Sequence, residues 1–258
     1  MLMGLVKLFL WFLFYSFCGW VYESILVSIQ ERRLVNRGFL NGPLCPIYGT
    51  GAVLATLILG QVRNPVVVFL VSAMGATILE YVTSWAMERL FHARWWDYSD
   101  FKFNLNGRVC LLGAVVFGIG GVVIVFGIQP WVADVTDMIP GQALCAAALV
   151  CFVLGIVDLA VTVAGMSDFA STLDALTQTL RDIAARAGET WQWGSGAVSA
   201  KMREWSTGSQ ETLKHMRQAV SGTINAQQRR MLESFPKLKV PGKDDVLNSL
   251  RELMRPKR

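Results

Sequence analysis

The chain has 258 residues, 53% of them hydrophobic, with a mean hydropathy of +0.42 and a formal net charge of +5. That apolar content exceeds what one soluble core requires. The five cysteines form no disulfide framework or zinc-ligand spacing, and with only His92 and His215 in the chain no metal site is expected.

The apolar surplus is concentrated in runs covering roughly 5–29, 44–62, 65–87, 109–128 and 142–164, each near the ~20 residues that cross ~30 Å of hydrocarbon. The first run follows Lys7, as a signal peptide would. It is too long for one, contains Glu23 and lacks a small-residue cleavage site, so it reads as a retained span. Glu23 is followed by Glu31 and then by Leu40-Asn41-Gly42-Pro43-Leu44-Cys45. The pattern returns as Glu80, Glu88 and Leu105-Asn106-Gly107-Arg108-Val109-Cys110. Each copy covers two apolar segments, which predicts a duplicated membrane hairpin, repeat A over about 5–62 and repeat B over about 65–128, with a fifth span at 142–164.

Glu23 and Glu80 each lie two helical turns, ~12 Å, deeper than Glu31 and Glu88. A carboxylate there must be paired, protonated or facing a water-filled cavity. Either the two bind a cation or relay protons near a pseudo-twofold axis, or they hold helices together as hydrogen-bonded side chains. Asn41-Gly42-Pro43 reads as a turn admitting the second span, with Pro43 suited to a first helical position. Pro46 suggests a broken or re-entrant start. The Asn41 and Asn106 turns serve either as such connections or as substrate-binding loops. Cys45 and Cys110 have no matching His, which argues against covalent catalysis. Trp95, Trp96, Asp97 and Tyr98 read first as interfacial anchors, with Asp97, Arg94 and Arg108 able to contact a lipid headgroup or shape a vestibule. Gly51 with Ala55, Ser72 with Ala76, and Ala114 with Gly118 lie four apart and permit close helix approach. Asp158, in the fifth run, has no local partner and is expected to face the repeat axis.

Arg32, Arg33, Arg37, Arg89, Arg94, Lys102 and Arg108 fall in the loops after spans one and three, against Lys7 and Arg63 opposite. The positive-inside rule then places the N-terminus outside and the C-terminus in the cytosol, so the repeats run parallel. Residues 1–165 form the membrane body, and 166–258 a tail that carries the whole net positive charge. Phe169, Leu173, Leu176, Leu180 and Ile183 make an amphipathic stripe. After Gly194-Ser195-Gly196 a second stripe holds Val198, Met202, Trp205, Leu213, Met216 and Val220, and a terminal helix spans Asp244 to Met254. The tail suits the anionic inner leaflet, with Trp191, Trp193 and Trp205 at headgroup level. The alternatives are packing on itself or on a second copy, or docking a cytosolic partner.

The string Asn36-Arg37-Gly38-Phe39-Leu40-Asn41-Gly42-Pro43-Leu44-Cys45-Pro46-Ile47-Tyr48-Gly49, with Ala93-Arg94-Trp95-Trp96-Asp97-Tyr98-Ser99 and Phe103-Asn104-Leu105-Asn106-Gly107-Arg108, resembles the bacterial membrane family catalogued as putative ABC-transporter type IV. The match covers most of residues 8–165. The resemblance implies a permease in the plasma membrane that works with a separate ATPase subunit. The chain itself has no Gly-x4-Gly-Lys-Ser/Thr phosphate loop. The expectation is an all-α polytopic membrane protein and transporter-like component. Its substrate or ion path would be lined by Glu23, Glu80, Asn41, Asn106, Asp158, Arg37 and Arg108. The other readings are a lipid-processing enzyme at the cytosolic leaflet with glutamates as acid or base, and a scaffold recruiting partners through its tail. The expected partners are the bilayer, the ATPase subunit and a second copy of the chain, with no cofactor and no nucleic acid.

Overall fold

A computed structural model describes residues 1–186 and 210–254. The chain is an all-α membrane protein whose described residues include four helices long and apolar enough to span a bilayer. Helix α1 (Leu2–Glu31) ends where Arg32 adopts a left-handed conformation and returns its N–H to Ile29. Helix α2 (Pro46–Leu59) has only 14 residues, about 21 Å at the usual rise. The apolar run at 44–62 thus becomes a helix shorter than its neighbours. Its first helical residue is Pro46, not Pro43, and Cys45 is the N-cap. Asn64 starts α3 (Pro65–Phe91) by accepting the N–H groups of Val66 and Val67 at 2.9 and 3.3 Å.

A two-stranded hairpin, β1 (Asn104–Leu105) and β2 (Val109–Cys110), carries the second Asn-Gly pair in its turn. Asn106 (φ 54°) and Gly107 (φ 66°) are both left-handed there, the backbone that Asn and Gly tolerate best. Asn41 and Gly42 do not share it, so the duplicated sequence builds two different turns. From Cys110 the fourth apolar run continues past its expected end as α4 (Leu111–Val123), a π segment (Ile124–Ile128) and α5 (Gln129–Met138). The Gln129 N–H reaches back to the Ile124 carbonyl. This wider turn accommodates Pro130, which has no N–H to give. Helix α6 (Gly141–Met166) follows.

The chain divides into two compact units. The membrane unit comprises 1–86 and 97–162. In it, α1 packs on α2 where a Cβ at Gly49 would fall 2.2 Å from Ser16 Oγ and 2.3 Å from the Phe12 carbonyl. Helix α3 meets α4 in the same fashion, since a Cβ at Gly121 would lie 2.1 Å from Ser72 Oγ. Close approach of this kind suits a lipid setting, where packing, not water, draws helices together. Tyr15 donates to Gln129 at 2.8 Å and Trp11 to Thr136 at 3.0 Å, while Lys7 pairs with Asp137, fastening α1 to α5.

The second unit comprises 87–96 and 163–258. It contains α7 (Phe169–Arg186), α8 (Gln210–Thr223), α9 (Ala226–Ser234) and α10 (Asp244–Met254). Phe169, Leu173, Leu176 and Leu180 are buried with Met216, Val220, Met231, Leu247 and Leu250. The apolar stripe of α7 is therefore used up in a helical core of the tail's own, and is not left open for a membrane surface. The Gly194-Ser195-Gly196 break, Trp191, Trp193 and the stripe residues Val198, Met202 and Trp205 lie outside the described residues.

Candidate functional site

The loop after α1 is pinned to the helix it has just left. Ser28 Oγ accepts the Val35 N–H at 2.9 Å, Ser24 Oγ the Arg37 N–H at 3.1 Å, and Asn36 Oδ1 the Trp20 indole N–H at 2.8 Å. These bonds turn Arg37 back along α1, where its Nε lies 3.3 Å from Glu23 Oε2. Tyr48, in the first turn of α2, donates its hydroxyl to Glu23 Oε1 at 2.6 Å. Glu23 therefore has one cationic and one neutral donor.

Glu80 is only 6% exposed, and its Oε1 accepts the Tyr98 hydroxyl at 3.1 Å. Each duplicated glutamate thus holds a tyrosine from a following segment. The tyrosines do not occupy equivalent positions: Tyr48 follows Cys45 in a helix, whereas Tyr98 precedes the hairpin. The two sets lie within electrostatic range of one another. Burial raises the Tyr98 hydroxyl well above the ordinary tyrosine range, the Glu80 and Glu23 charges add to it, and the bond to Glu80 contributes further.

Both N-cap cysteines border the site. Burial, followed by the Glu23 charge, pushes the Cys45 thiol up to about 12, with Arg37 opposing. Such a thiol stays protonated and is a poor nucleophile. Cys110 accepts the Gly113 N–H through its sulfur at 3.4 Å, so it caps α4.

Asp158 has partners after all. Its Oδ1 accepts the Asn41 backbone N–H and side-chain amide, both at 2.9 Å, and its Oδ2 accepts the Gly42 N–H at 2.8 Å. Thr162 bonds both Asp158 and the Asn41 amide, at 3.2 and 2.9 Å. The first Asn-Gly turn is thereby latched to α6, where the sequence suggested a residue facing the repeat axis. The second turn is held otherwise. Asn106 donates to the Tyr81 hydroxyl at 3.1 Å, and Arg108 donates to Ser84 Oγ at 3.1 Å with its guanidinium 5.6 Å from the Tyr81 ring centroid.

The aromatic string departs from the anchoring expectation. Tyr98 points to Glu80, and Asp97 is buried, accepting the Ser99 N–H and hydroxyl at 3.1 and 2.6 Å. Trp95, 1% exposed, belongs to the tail unit, with ring centroids 5.8 Å from Phe91 and 4.9 Å from Phe235. Trp96 is half-buried in that unit. Arg94 and Lys239 exchange backbone bonds of 2.7 and 2.8 Å beside it. Tyr48, Thr162 and the capping role of both cysteines were missed. Among the described residues no group of three or more His, Cys, Asp and Glu side chains is arranged to hold a metal ion.

A helical bundle with long apolar helices and part-buried carboxyl–phenol pairs defines a multi-pass membrane protein with a polar site. Residues 10–163 match the family described as putative ABC-transporter type IV, and the chain belongs to that family. No curated protein and no solved structure matches it.

Proposed function

We propose that this chain is the permease component of a transporter in the plasma membrane, and that a separate chain supplies the ATPase. The carrying observation is the polar site itself: Glu23 with Tyr48 and Arg37, and Glu80 with Tyr98, set among membrane helices. Ionisable groups in hydrocarbon are expensive and rare, and by default they mark a substrate or ion pathway. Family membership supports the transport assignment. The loops that build the site, 32–45 and 92–110, carry most of the membrane body's basic residues, which by the positive-inside rule puts the site toward the cytosol. The substrate reaches Glu23 and Glu80 past the Asn41 and Asn106 turns, with Arg37 and Arg108 fixing their surroundings.

The test is affinity purification of the full chain from native membranes in mild detergent, with mass spectrometry of what accompanies it. A stoichiometric ATPase subunit is expected. Purification of an intact chain that never carries an ATPase, whatever the nucleotide present, would overturn the permease assignment.

A further inference from the structure

The two duplicated glutamates have the same position in the sequence pattern and different surroundings. Glu23 has a guanidinium nitrogen at 3.3 Å and a phenol at 2.6 Å, so its negative charge is balanced. Glu80 is more deeply buried and has a neutral phenol at 3.1 Å as its sole hydrogen-bond donor among the described residues. Its second oxygen, Oε2, accepts no hydrogen bond there. That oxygen faces the first turn of α4, where a Cβ on Gly113 would lie 3.9 Å from it. Where two carboxyls of one site are given such different environments, they take different roles.

We propose that Glu80 is the proton-exchanging carboxyl of this site, while Glu23 serves as the ion-pair partner of Arg37. The proposal rests on the reading of the cluster as a transport path. An unbalanced carboxylate in an apolar setting is relieved by neutralisation. A proton is the simplest occupant of the open Oε2, since it needs no ligand besides that oxygen. Opposing influences keep the exchange reversible. The apolar burial of Glu80 weighs against its charge, whereas the Tyr98 hydroxyl donates to the carboxylate at 3.1 Å. The proton adds to Oε2 from water at the loop end of the bundle and leaves by the same oxygen, while Oε1 keeps its bond to Tyr98. No other bond changes. The groups facing Glu80 are the Tyr98 phenol from the loop, the Cys110 thiol at the α4 cap and Glu23 from α1, with Arg37 and Tyr48 behind it.

The experiment is infrared difference spectroscopy of the full chain in lipid nanodiscs, titrated from about pH 5 to about pH 9, following the carbonyl band of protonated carboxyls. Wild type should show a band that disappears as pH rises. Glu80→Gln should remove it and Glu23→Gln should retain it. Tyr98→Phe should shift its midpoint upward, because the carboxylate loses a donor. A wild type without a titrating band, a band that survives Glu80→Gln, or one abolished by Glu23→Gln in folded protein would overturn the proposal. Should Glu80→Gln not fold, Glu80→Asp keeps the test open: the band must persist at a displaced frequency, and an unmoved band refutes the assignment. The spectrum requires no transport, so its failure is distinguishable from failure of the permease reading, which co-purification judges alone.

Discussion

At Asp158, a single carboxylate accepts two backbone N–H groups and one amide of the Asn41-Gly42 turn. Truncation to Ala leaves the two backbone N–H groups without their acceptor and the amide with Thr162 alone, at a cost of about 1–3 kcal/mol. Asp158→Ala should lower the unfolding midpoint in detergent, and Asp158→Asn should lower it less, since the amide oxygen still accepts. Cys45 gives a pH signature. Its folded thiol lies at about 12 against an ordinary 9.0, so the fold holds a proton that the unfolded chain releases first. The stability this contributes is complete below about pH 9 and fades as pH rises toward about 12. Maleimide labelling of folded protein near pH 8 should therefore leave Cys45 unmodified, and labelling at the rate of a free thiol would contradict the assignment. Much of the residue-scale chemistry was legible: Glu23, Glu80, Asn41, Asn106 and Asp158 stood out as polar groups in or beside apolar runs. Their partners were not. Tyr48 and Asp158 reach their contacts across 25 and 117 positions respectively, distances over which periodicity carries no signal.

The elements show what helix-period reasoning captures and what it misses. Five apolar runs gave five helical regions in the right places, because length and hydropathy are local properties. Pairing geometry is not local. Ser72 and Gly118 do sit at close approaches, with a Cβ on Gly118 falling 2.7 Å from the Phe69 ring. Gly49 and Gly121 make the tightest contacts and had not been singled out. Gly49→Ala and Gly121→Ala should each cost about 1–3 kcal/mol through overpacking. Gly75→Ala is the control: nothing lies within 4 Å of its added Cβ, so any change there reflects helix propensity alone. Thermal unfolding of the three variants side by side checks this, and equal midpoints would refute the packing. The entry of α2 at Pro46 was also beyond reach, since the Cys45 N–H before it bonds the distant Ser16 carbonyl of α1.

For the molecule as a whole, the boundary between membrane body and tail does not follow chain order. Residues 87–96 belong with the tail unit, and Trp95 is a core residue there. An aromatic string beside a membrane helix reads as an anchor by default, and only the return of Phe235 and Lys239 from far along the chain reveals its use. Trp95→Ala should destabilise the tail unit by about 3–5 kcal/mol, seen as earlier protease cleavage within 163–258 and not in the membrane helices. Function is judged at this scale as well. A strain lacking the chain, complemented with full-length variants at matched membrane abundance, gives the most direct measurement. Glu23→Gln with Glu80→Gln should fail to restore growth, while Gly75→Ala should restore it fully. Full restoration by the double glutamine variant would mean that the carboxyl cluster is a helix fastener and not the working site.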